Sequence, residues 1–221
     1  MITDEQGSLN WRDGVIPVST RFDDPYFSLN DGLAETQHVF LAGNDLPARL
    51  RSGFQVAELG FGTGLNLLAS LLICPPNVPI SYTSFEAYPL TAPDIARALD
   101  HFPAVRAVAD PFLAAWDTGA RAFQLGPIAA QVIVGDARET LPAWTGLADA
   151  WFLDGFSPAK NPELWSDQLM AEVARHTATG GTFATYTAAG HVRRALSDHG
   201  FIVERNKGHG KKRHMTKGIK I

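Results

Sequence analysis

The stretch of sequence that decides the fold reads Val56-Ala57-Glu58-Leu59-Gly60-Phe61-Gly62-Thr63-Gly64-Leu65-Asn66. An apolar run leads to an acidic residue, three glycines follow at alternate positions, and an apolar helix-like run at 65–73 comes next. This order is typical of a strand, a tight turn and a helix. Because glycine has no Cβ and tolerates positive φ, such a turn lets a ligand approach bare backbone. The N-terminus of the following helix offers free N–H groups.

The spacing of the glycines narrows the choice of ligand. A dinucleotide-binding turn reads G-x-G-x-x-G, so that a turn starting at Gly60 would need its last glycine at position 65. Leu65 stands there, which disfavours a nicotinamide-dependent oxidoreductase. The run E-x-G-x-G-x-G instead resembles the first motif of class I S-adenosylmethionine-dependent methyltransferases. Their cofactor carries a cationic sulfonium, which an acid such as Glu58 would suit, although the glycines alone also fit a turn of an unrelated α/β fold.

Length and composition indicate an ordinary globular protein. The 221 residues suit one domain with small additions, and 45% of them are hydrophobic and 19% charged. No apolar run is long enough to span a bilayer, and the polar N-terminus does not resemble a signal peptide. Cys74 is the single cysteine, and the histidines are scattered. We therefore expect a protein of the reducing cytoplasm, with neither a metal site nor membrane contact.

Charge is distributed unevenly along the chain. The net charge is −4, yet residues 205–221 carry seven basic side chains and no acidic one, which leaves 12 basic and 23 acidic side chains elsewhere. A basic end on an acidic body suggests an anionic partner bound at one edge. A solvated, frayed terminus is the alternative explanation of the same charge.

From residue 54 onward, strand-like and helix-like runs alternate, which predicts a Rossmann-like α/β fold: a mostly parallel sheet with helices on both faces. The predicted strands are 54–59, 80–85, 131–134, 150–153, 182–186 and 201–204. The predicted helices are 65–73, 92–101, 138–144, 162–176 and 190–199, the fourth ended by Gly180-Gly181. A last strand at 215–221 is expected at the sheet edge, antiparallel, and a helical excursion at 102–126. Residues 1–50 are interpreted as an N-terminal extension or lid on a single unit, 51–221.

Acidic residues follow four predicted strands, at the sheet edge where parallel α/β folds bind ligands. An acid at the position of Glu86 accepts hydrogen bonds from ribose hydroxyls, and Asp136 would suit the amino group of adenine. Any one of these acids could serve only as a helix cap. Four acids at the ends of four predicted strands favour a nucleotide-like ligand. The predicted cofactor-binding residues are Glu58, Gly60, Gly62, Thr63, Gly64, Asn66, Glu86, Asp136 and Asp154.

One segment is far more specific than the glycine turn, and it reads Asp149-Ala150-Trp151-Phe152-Leu153-Asp154-Gly155-Phe156-Ser157-Pro158-Ala159-Lys160-Asn161-Pro162-Glu163-Leu164-Trp165. It resembles the methyltransferase domain of the MnmC family of bifunctional tRNA-modification proteins. Shorter stretches agree in order and spacing from about residue 10 to 218, among them 22–28, 32–36, 84–86 and 208–215. The resemblance implies methyl transfer from S-adenosylmethionine to the primary amine of 5-aminomethyl-2-thiouridine, the wobble base of certain tRNAs.

The resemblance also implies partners. In the fused members of this family an FAD-dependent domain first exposes the amine, whereas this chain has no second glycine fingerprint. We therefore expect S-adenosylmethionine and no FAD in this chain, a separate or fused FAD-dependent oxidoreductase, and the tRNA anticodon arm as substrate. The oligomeric state stays open.

Asp154 is the candidate catalytic residue. Its carboxylate would accept an N–H bond from the substrate amine, orient the lone pair and take up the released proton; the alternative is a role as a loop cap. Phe156 would stack on the uracil ring or belong to the core. Lys160 would meet a phosphate or be solvated.

Further residues are assigned to the pocket wall and to RNA. Tyr26, Phe27 and Tyr186 are candidates for the wall, although aromatic residues are more often core. A basic rim for the anticodon arm is predicted from Arg193, Arg194, Lys211, Lys212 and Arg213. Two other functions stay open: methylation of a small-molecule amine or a protein, and non-catalytic binding of S-adenosylmethionine or RNA. The complete glycine turn with Asp154 favours an enzyme, and the basic end favours tRNA.

Overall fold

The structure is a computed structural model that describes residues 7–28 and 31–221. Residues 1–6 and 29–30, which belong to the predicted extension 1–50, lie outside the described residues. The rest of that extension contains a small antiparallel sheet, made of β1 (Leu9–Arg12), β2 (Ile16–Ser19) and β3 (Asp24–Pro25). A helical segment follows it: α1 (Gly32–Thr36) continues through a π-helical turn at Gln37–Leu41 and a 3-10 turn at Ala42–Asn44.

The central sheet has eight strands in the order β10-β11-β9-β8-β4-β5-β7-β6. Their bounds are β4 (Phe54–Leu59), β5 (Ile80–Glu86), β6 (Ala122–Leu125), β7 (Ile128–Val134), β8 (Ala148–Leu153), β9 (Thr177–Thr185), β10 (Phe201–Lys207) and β11 (His214–Lys220). The five inner strands from β9 to β7 pair in parallel. The outer pairings are antiparallel: β9 with β11, β11 with β10, and β7 with β6.

Helices cover both faces of this sheet. They are α2 (Leu65–Ile73), α3 (Ala92–Leu99), α4 (Pro103–Arg106), α5 (Asp110–Asp117), α6 (Ala137–Ala143), α7 (Asp167–Arg175) and α8 (Gly190–Asp198). Because side chains alternate along a strand, β8 contributes to two cores. Ala150 and Phe152 pack in the cluster that holds α2 to α5 and the N-terminal segment, and Trp151 and Leu153 pack with α6, α7 and α8. The predicted Rossmann-like class is confirmed.

The register of the parallel strands places the site. Leu59 pairs with Phe85 on one side and Leu153 on the other, and Phe85 pairs with Ile133. These strands therefore end level with one another. Chain order reverses between β4 and β8, which is the switch point where open α/β sheets bind ligands.

Four local expectations need correction. The last strand is antiparallel but not at the edge, since β11 lies between β9 and β10. The excursion 102–126 contains strand β6 besides its helices. The predicted helix 162–176 is a 3-10 turn (Pro162–Trp165) and then α7, because Ser166 caps a new helix start. Gly180 does not end that helix. It lies inside β9 with φ +74°, where the pairing with β8 is irregular.

No helix within residues 7–28 and 31–221 is long and apolar enough to cross a membrane. Among those same residues, no three His, Cys, Asp or Glu side chains form a group that could hold a metal ion.

Candidate active site

A cavity of about 540 Å³ lies at the level ends of the parallel strands. This volume suits a cofactor-sized ligand. The cavity brings together most of the residues predicted for the site, and its lining includes Tyr26, Phe27, Gly60, Gly62, Thr63, Asn66, Glu86, Asp136, Asp154, Phe156, Tyr186, Lys211 and Lys212. Six predicted residues lie outside its lining: Glu58, Gly64, Lys160, Arg193, Arg194 and Arg213.

The three glycines of the turn have different structural roles, although all have positive φ. A Cβ on Gly60 would lie 2.9 Å from Cα of Gly155, so Gly60 lets the turn after β4 approach the loop after β8. A Cβ on Gly64 would press on the Phe61 and Phe112 rings, so the absent side chain at this position serves packing. Gly62 faces the cavity, where a Cβ would lie 3.1 Å from the Tyr26 ring.

Glu86 fastens the glycine turn from the end of β5. Its Oε2 accepts a hydrogen bond from the Gly62 N–H at 2.9 Å, and its Oε1 accepts one from the Tyr88 N–H at 2.8 Å. Burial raises the pKa of Glu86, and the backbone N–H groups oppose that rise. A carboxylate held by two N–H groups keeps lone pairs for ligand hydroxyls, so its geometry suits the predicted ribose contact.

Asp154 lies at the end of β8 and lines the cavity. Its Oδ2 accepts a hydrogen bond from Asn66 Nδ2 at 2.9 Å, and its Oδ1 accepts one from the Gly155 N–H at 2.8 Å. Burial raises the pKa of Asp154 to about 6, and the two hydrogen bonds limit the rise. A carboxylate with a pKa near neutrality that opens onto a cavity can act as a base.

Glu58 needs a correction. Its side chain is 0% exposed and lies outside the cavity lining, so it makes no direct contact with a ligand there. Asn66 Nδ2 donates to Glu58 Oε1 at 2.8 Å as well as to Asp154, and Asn66 Oδ1 accepts from Thr36 Oγ1 at 2.8 Å. Burial raises the pKa of Glu58 well above its usual range. Glu58 therefore holds the Asn66 side chain by a hydrogen bond, and Asn66 in turn holds the Asp154 carboxylate.

Asp136 lies on the cavity wall as predicted, but its carboxylate is already engaged. It caps α6 by accepting from the Arg138 N–H at 2.9 Å, and it forms an ion pair with the Arg138 guanidinium at 2.5 Å. These contacts lower the pKa of Asp136. Arg138 also lines the cavity, so a ligand there would meet an ion pair and not a free acid.

Aromatic side chains form one wall of the cavity. The Phe156 ring stacks on Phe22 with 4.7 Å between centroids, and the Tyr26 ring meets Phe156 edge-on at 5.0 Å. Phe22 also contacts Tyr88 at 5.8 Å. Phe156 and Tyr26 are predicted from the sequence, whereas Phe22 and Tyr88 are wall residues that were not predicted. The aromatic-rich run 22–27 was the available signal for Phe22.

The basic end folds into a hairpin in this structure. Strands β10 and β11 pair from Phe201–Lys220 to Lys207–His214, and residues 208–213 form the connecting loop. Lys212 Nζ lies 2.8 Å from Glu35 Oε1, and both residues line the cavity, whereas Arg213 does not. Glu35 was missed as a site residue, although it lies in the stretch 32–36 that resembles the MnmC family.

Three other basic residues predicted to contact RNA, Lys160, Arg193 and Arg194, lie outside the cavity lining. Lys160 Nζ forms an ion pair with Asp23 Oδ2 at 2.7 Å, so its charge is locally compensated. Arg193 and Arg194 lie on α8, outside the cavity lining. The cavity lining does not test a basic rim outside it, so a rim that joins α8 to the hairpin loop stays a prediction.

Comparison with known proteins fits this geometry. Residues 103–221 match a family model described as S-adenosyl-L-methionine-dependent methyltransferase. The chain belongs to this family. Over 216 residues it is 46% identical to the tRNA 5-methylaminomethyl-2-thiouridine biosynthesis bifunctional protein MnmC of Caulobacter vibrioides, covering 93% of this chain and 36% of that protein. The MnmC protein of Pseudoalteromonas atlantica is 43% identical, with 92% and 32% covered.

The resemblance to MnmC proteins is thereby confirmed, and the chain spans about a third of the length of these curated relatives. The crystal structure of MNMC2 from Aquifex aeolicus matches with a TM-score of 0.73 at 23% identity, covering 98% of this chain and 71% of that one. Spermidine synthase from Thermotoga maritima matches with a TM-score of 0.57 at 10% identity, covering 96% and 71%. At these identities the structural matches show the fold alone.

The cavity fits the cofactor of the family. The bare backbone at Gly62 leaves room that a Cβ would take, and the Glu86 carboxylate beside it offers acceptors for hydroxyl groups. The methyltransferase of this family uses S-adenosylmethionine.

Proposed function

We propose that this chain transfers a methyl group from S-adenosylmethionine to the primary amine of 5-aminomethyl-2-thiouridine, the wobble base of tRNA. The observation that carries the proposal is the Asp154 carboxylate, which opens onto the cavity beside the glycine turn and has a pKa of about 6. The MnmC relatives are named for the biosynthesis of 5-methylaminomethyl-2-thiouridine in tRNA, and removal of its one N-methyl group gives the amine substrate. The product would be 5-methylaminomethyl-2-thiouridine.

The cofactor would be held at the turn between β4 and α2. Gly60, Gly62 and Thr63 give it backbone and space, Glu86 accepts hydrogen bonds from its ribose, and Asp136 with Arg138 forms the far wall. Bound there, S-adenosylmethionine supplies an electrophilic methyl group on a sulfonium sulfur. Glu58 and Gly64 act beneath this surface through packing and through Asn66.

Asp154 would act on the amine. Its carboxylate accepts an N–H bond and aims the nitrogen lone pair, since methyl transfer requires in-line approach. The amine attacks only as neutral –NH₂, so a bound ammonium would first release one proton to water. Its lone pair would then form the new N–C bond while the electrons of the broken S–C bond stay on sulfur, and Asp154 would take the proton that the methylated nitrogen releases. Asn66 and the Gly155 N–H hold the carboxylate in place for both tasks.

The anticodon arm would approach across the aromatic wall and the hairpin loop 208–213. Phe156 and Phe22 offer a flat ring face to a splayed base, a contact worth about 1–3 kcal/mol per base. Lys211 and Arg213 are exposed on the loop and would meet phosphates. An FAD-dependent oxidoreductase, separate or fused, would supply the amine in the cytoplasm.

Mass spectrometry of nucleosides tests this function. Aminomethyl-bearing tRNA incubated with the protein and S-adenosylmethionine should gain one methyl group on the wobble nucleoside, and tRNA without the aminomethyl group should gain none. A parallel assay with a free alkylamine in place of the tRNA tests the alternative that the substrate is a small-molecule amine. Methylation of the free amine with an unchanged tRNA would refute the tRNA assignment.

The hairpin loop should carry part of the tRNA affinity. The double variant Lys211→Ala with Arg213→Ala should bind tRNA more weakly and with a shallower salt dependence, because each phosphate contact releases counterions. The slope should fall by about 0.7 per lost contact on a single strand. A salt titration of tRNA binding measures both effects.

The matched control removes two other arginines, the half-buried Arg106 and the exposed Arg175, which are paired with acids on or near their own helices. This control should follow the wild-type titration. If the Lys211 and Arg213 double variant also follows it, the loop does not touch phosphate.

A further inference from the structure

The hairpin loop places one ammonium group inside the candidate active site. Lys212 Nζ lies 2.8 Å from Glu35 Oε1 and 3.9 Å from the centroid of the Tyr186 ring. Glu35, Tyr186, Lys212 and Asp154 all line the same cavity. An alkylammonium group between a carboxylate and an aromatic face is the usual arrangement for recognition of a cationic amine.

The receiving groups are buried or hydrogen-bonded, and the lysine is half exposed. The Glu35 side chain is 10% exposed, whereas that of Lys212 is 41% exposed and reaches in from a loop. The Tyr186 hydroxyl donates to the Gly155 carbonyl oxygen at 2.8 Å, which fixes the ring beside the Asp154 loop. Because the Lys212 side chain is half exposed, its ammonium can leave the subsite for water, and the cost of its leaving falls on the buried Glu35 carboxylate.

Charge compensation explains why a cation must replace the lysine. Glu35 raises the pKa of Asp154 and Lys212 lowers it, so the three charges lie close enough to interact. If Lys212 leaves, two carboxylates face one cavity, and buried like charges are unfavourable without a counter-charge. A substrate that carries an ammonium on a methylene group would restore the balance. A substrate without an amine would not.

We propose that Glu35 and Tyr186, together with Asp154, form the subsite that recognises the aminomethyl group, and that Lys212 fills this subsite with its own ammonium in the free protein. The aminomethyl group ends in the same CH₂–NH₃⁺ unit as a lysine side chain, so it takes the same contacts when it enters. Glu35 is then a specificity-determining residue for a primary amine. This inference rests on the proposed function for the identity of the substrate.

Equilibrium binding of two anticodon stem-loop RNAs tests the subsite without methyl transfer. One RNA carries 5-aminomethyl-2-thiouridine, the other 2-thiouridine, and S-adenosylhomocysteine is present so that nothing reacts. The wild type should prefer the aminomethyl RNA by about tenfold or more, the range for a hydrogen bond to a charged group. Glu35→Gln should abolish that preference and leave the affinity for the 2-thiouridine RNA unchanged.

Two further variants sharpen the test. Lys212→Met removes the resident ammonium, so the preference for the aminomethyl RNA should increase; a decrease would show that Lys212 is no placeholder. Glu139→Gln removes the same charge from the exposed first turn of α6, outside the cavity lining, and should keep the wild-type preference. Thermal unfolding checks that Glu35→Gln is folded.

The outcomes separate this inference from the proposed function. If the wild type prefers the aminomethyl RNA but never methylates it, the subsite stands and the proposed function fails. If methylation occurs but Glu35→Gln keeps the preference, the subsite fails and the proposed function stands. A wild type without any preference overturns the subsite outright.

Discussion

Asp154→Asn is expected to lower the rate of methyl transfer by about 10²–10⁴-fold, the usual contribution of a positioned general base. An amide has nearly the same size as the carboxylate, but it cannot take the proton from the amine. Its oxygen can still accept one of the bonds from Asn66 and Gly155, so the loop should keep its form. Single-turnover methylation of aminomethyl-bearing tRNA measures the rate, and calorimetry should find the affinity for S-adenosylmethionine within a few-fold of wild type.

The pH dependence gives a second readout of the same residue. Because burial raises the pKa of Asp154 to about 6, the carboxylate becomes protonated and inactive as the pH falls through that value. The wild-type rate should therefore fall with a midpoint near 6 on the acid side, and this step should be missing from the residual activity of Asp154→Asn. Near wild-type turnover in the variant would make Asp154 a structural loop residue and refute the mechanism.

Much of the site follows from the sequence because of one geometric rule. Parallel strands end at the same sheet edge, so residues that directly follow them must meet. Glu86 is the last residue of β5 and Asp154 directly follows β8, and the structure brings them to one cavity with Gly62. Glu58 shows the limit of the rule. It comes one residue before the end of β4, and side chains alternate along a strand, so it lies beneath the turn.

Contacts between distant segments could not be predicted in this way. The basic composition of residues 205–221 indicates an anionic partner. It does not show that Lys212 forms an ion pair with Glu35 of the N-terminal extension. Likewise, the pattern at 215–221 predicts a strand but not its neighbours. The place of β11 between β9 and β10 depends on pairing energies along the whole hairpin, and periodicity does not report those.

Glu86→Ala is expected to weaken S-adenosylmethionine binding by about 1.5–3 kcal/mol, the usual value of hydrogen bonds to a charged group. The change removes the ribose acceptors, and it also releases the Gly62 and Tyr88 N–H groups that the carboxylate holds. Gly62→Val should act on the same turn, because a side chain at φ +54° is strained and its Cβ would press on the Tyr26 ring at 3.1 Å. Calorimetric titration with S-adenosylmethionine measures both losses.

Gly53→Val is the matched control for the turn, because it separates backbone strain from occupation of the site. Gly53 has a comparable positive φ of +78°, but a Cβ there meets nothing within 4 Å, and Gly53 lies outside the cavity lining. This variant should lose some stability and keep its affinity for S-adenosylmethionine. Gly62→Val should lose the affinity as well, since its new side chain stands where the ligand meets the backbone. Unchanged affinity in both Glu86→Ala and Gly62→Val would place the cofactor elsewhere and remove the basis for the role given to Asp154.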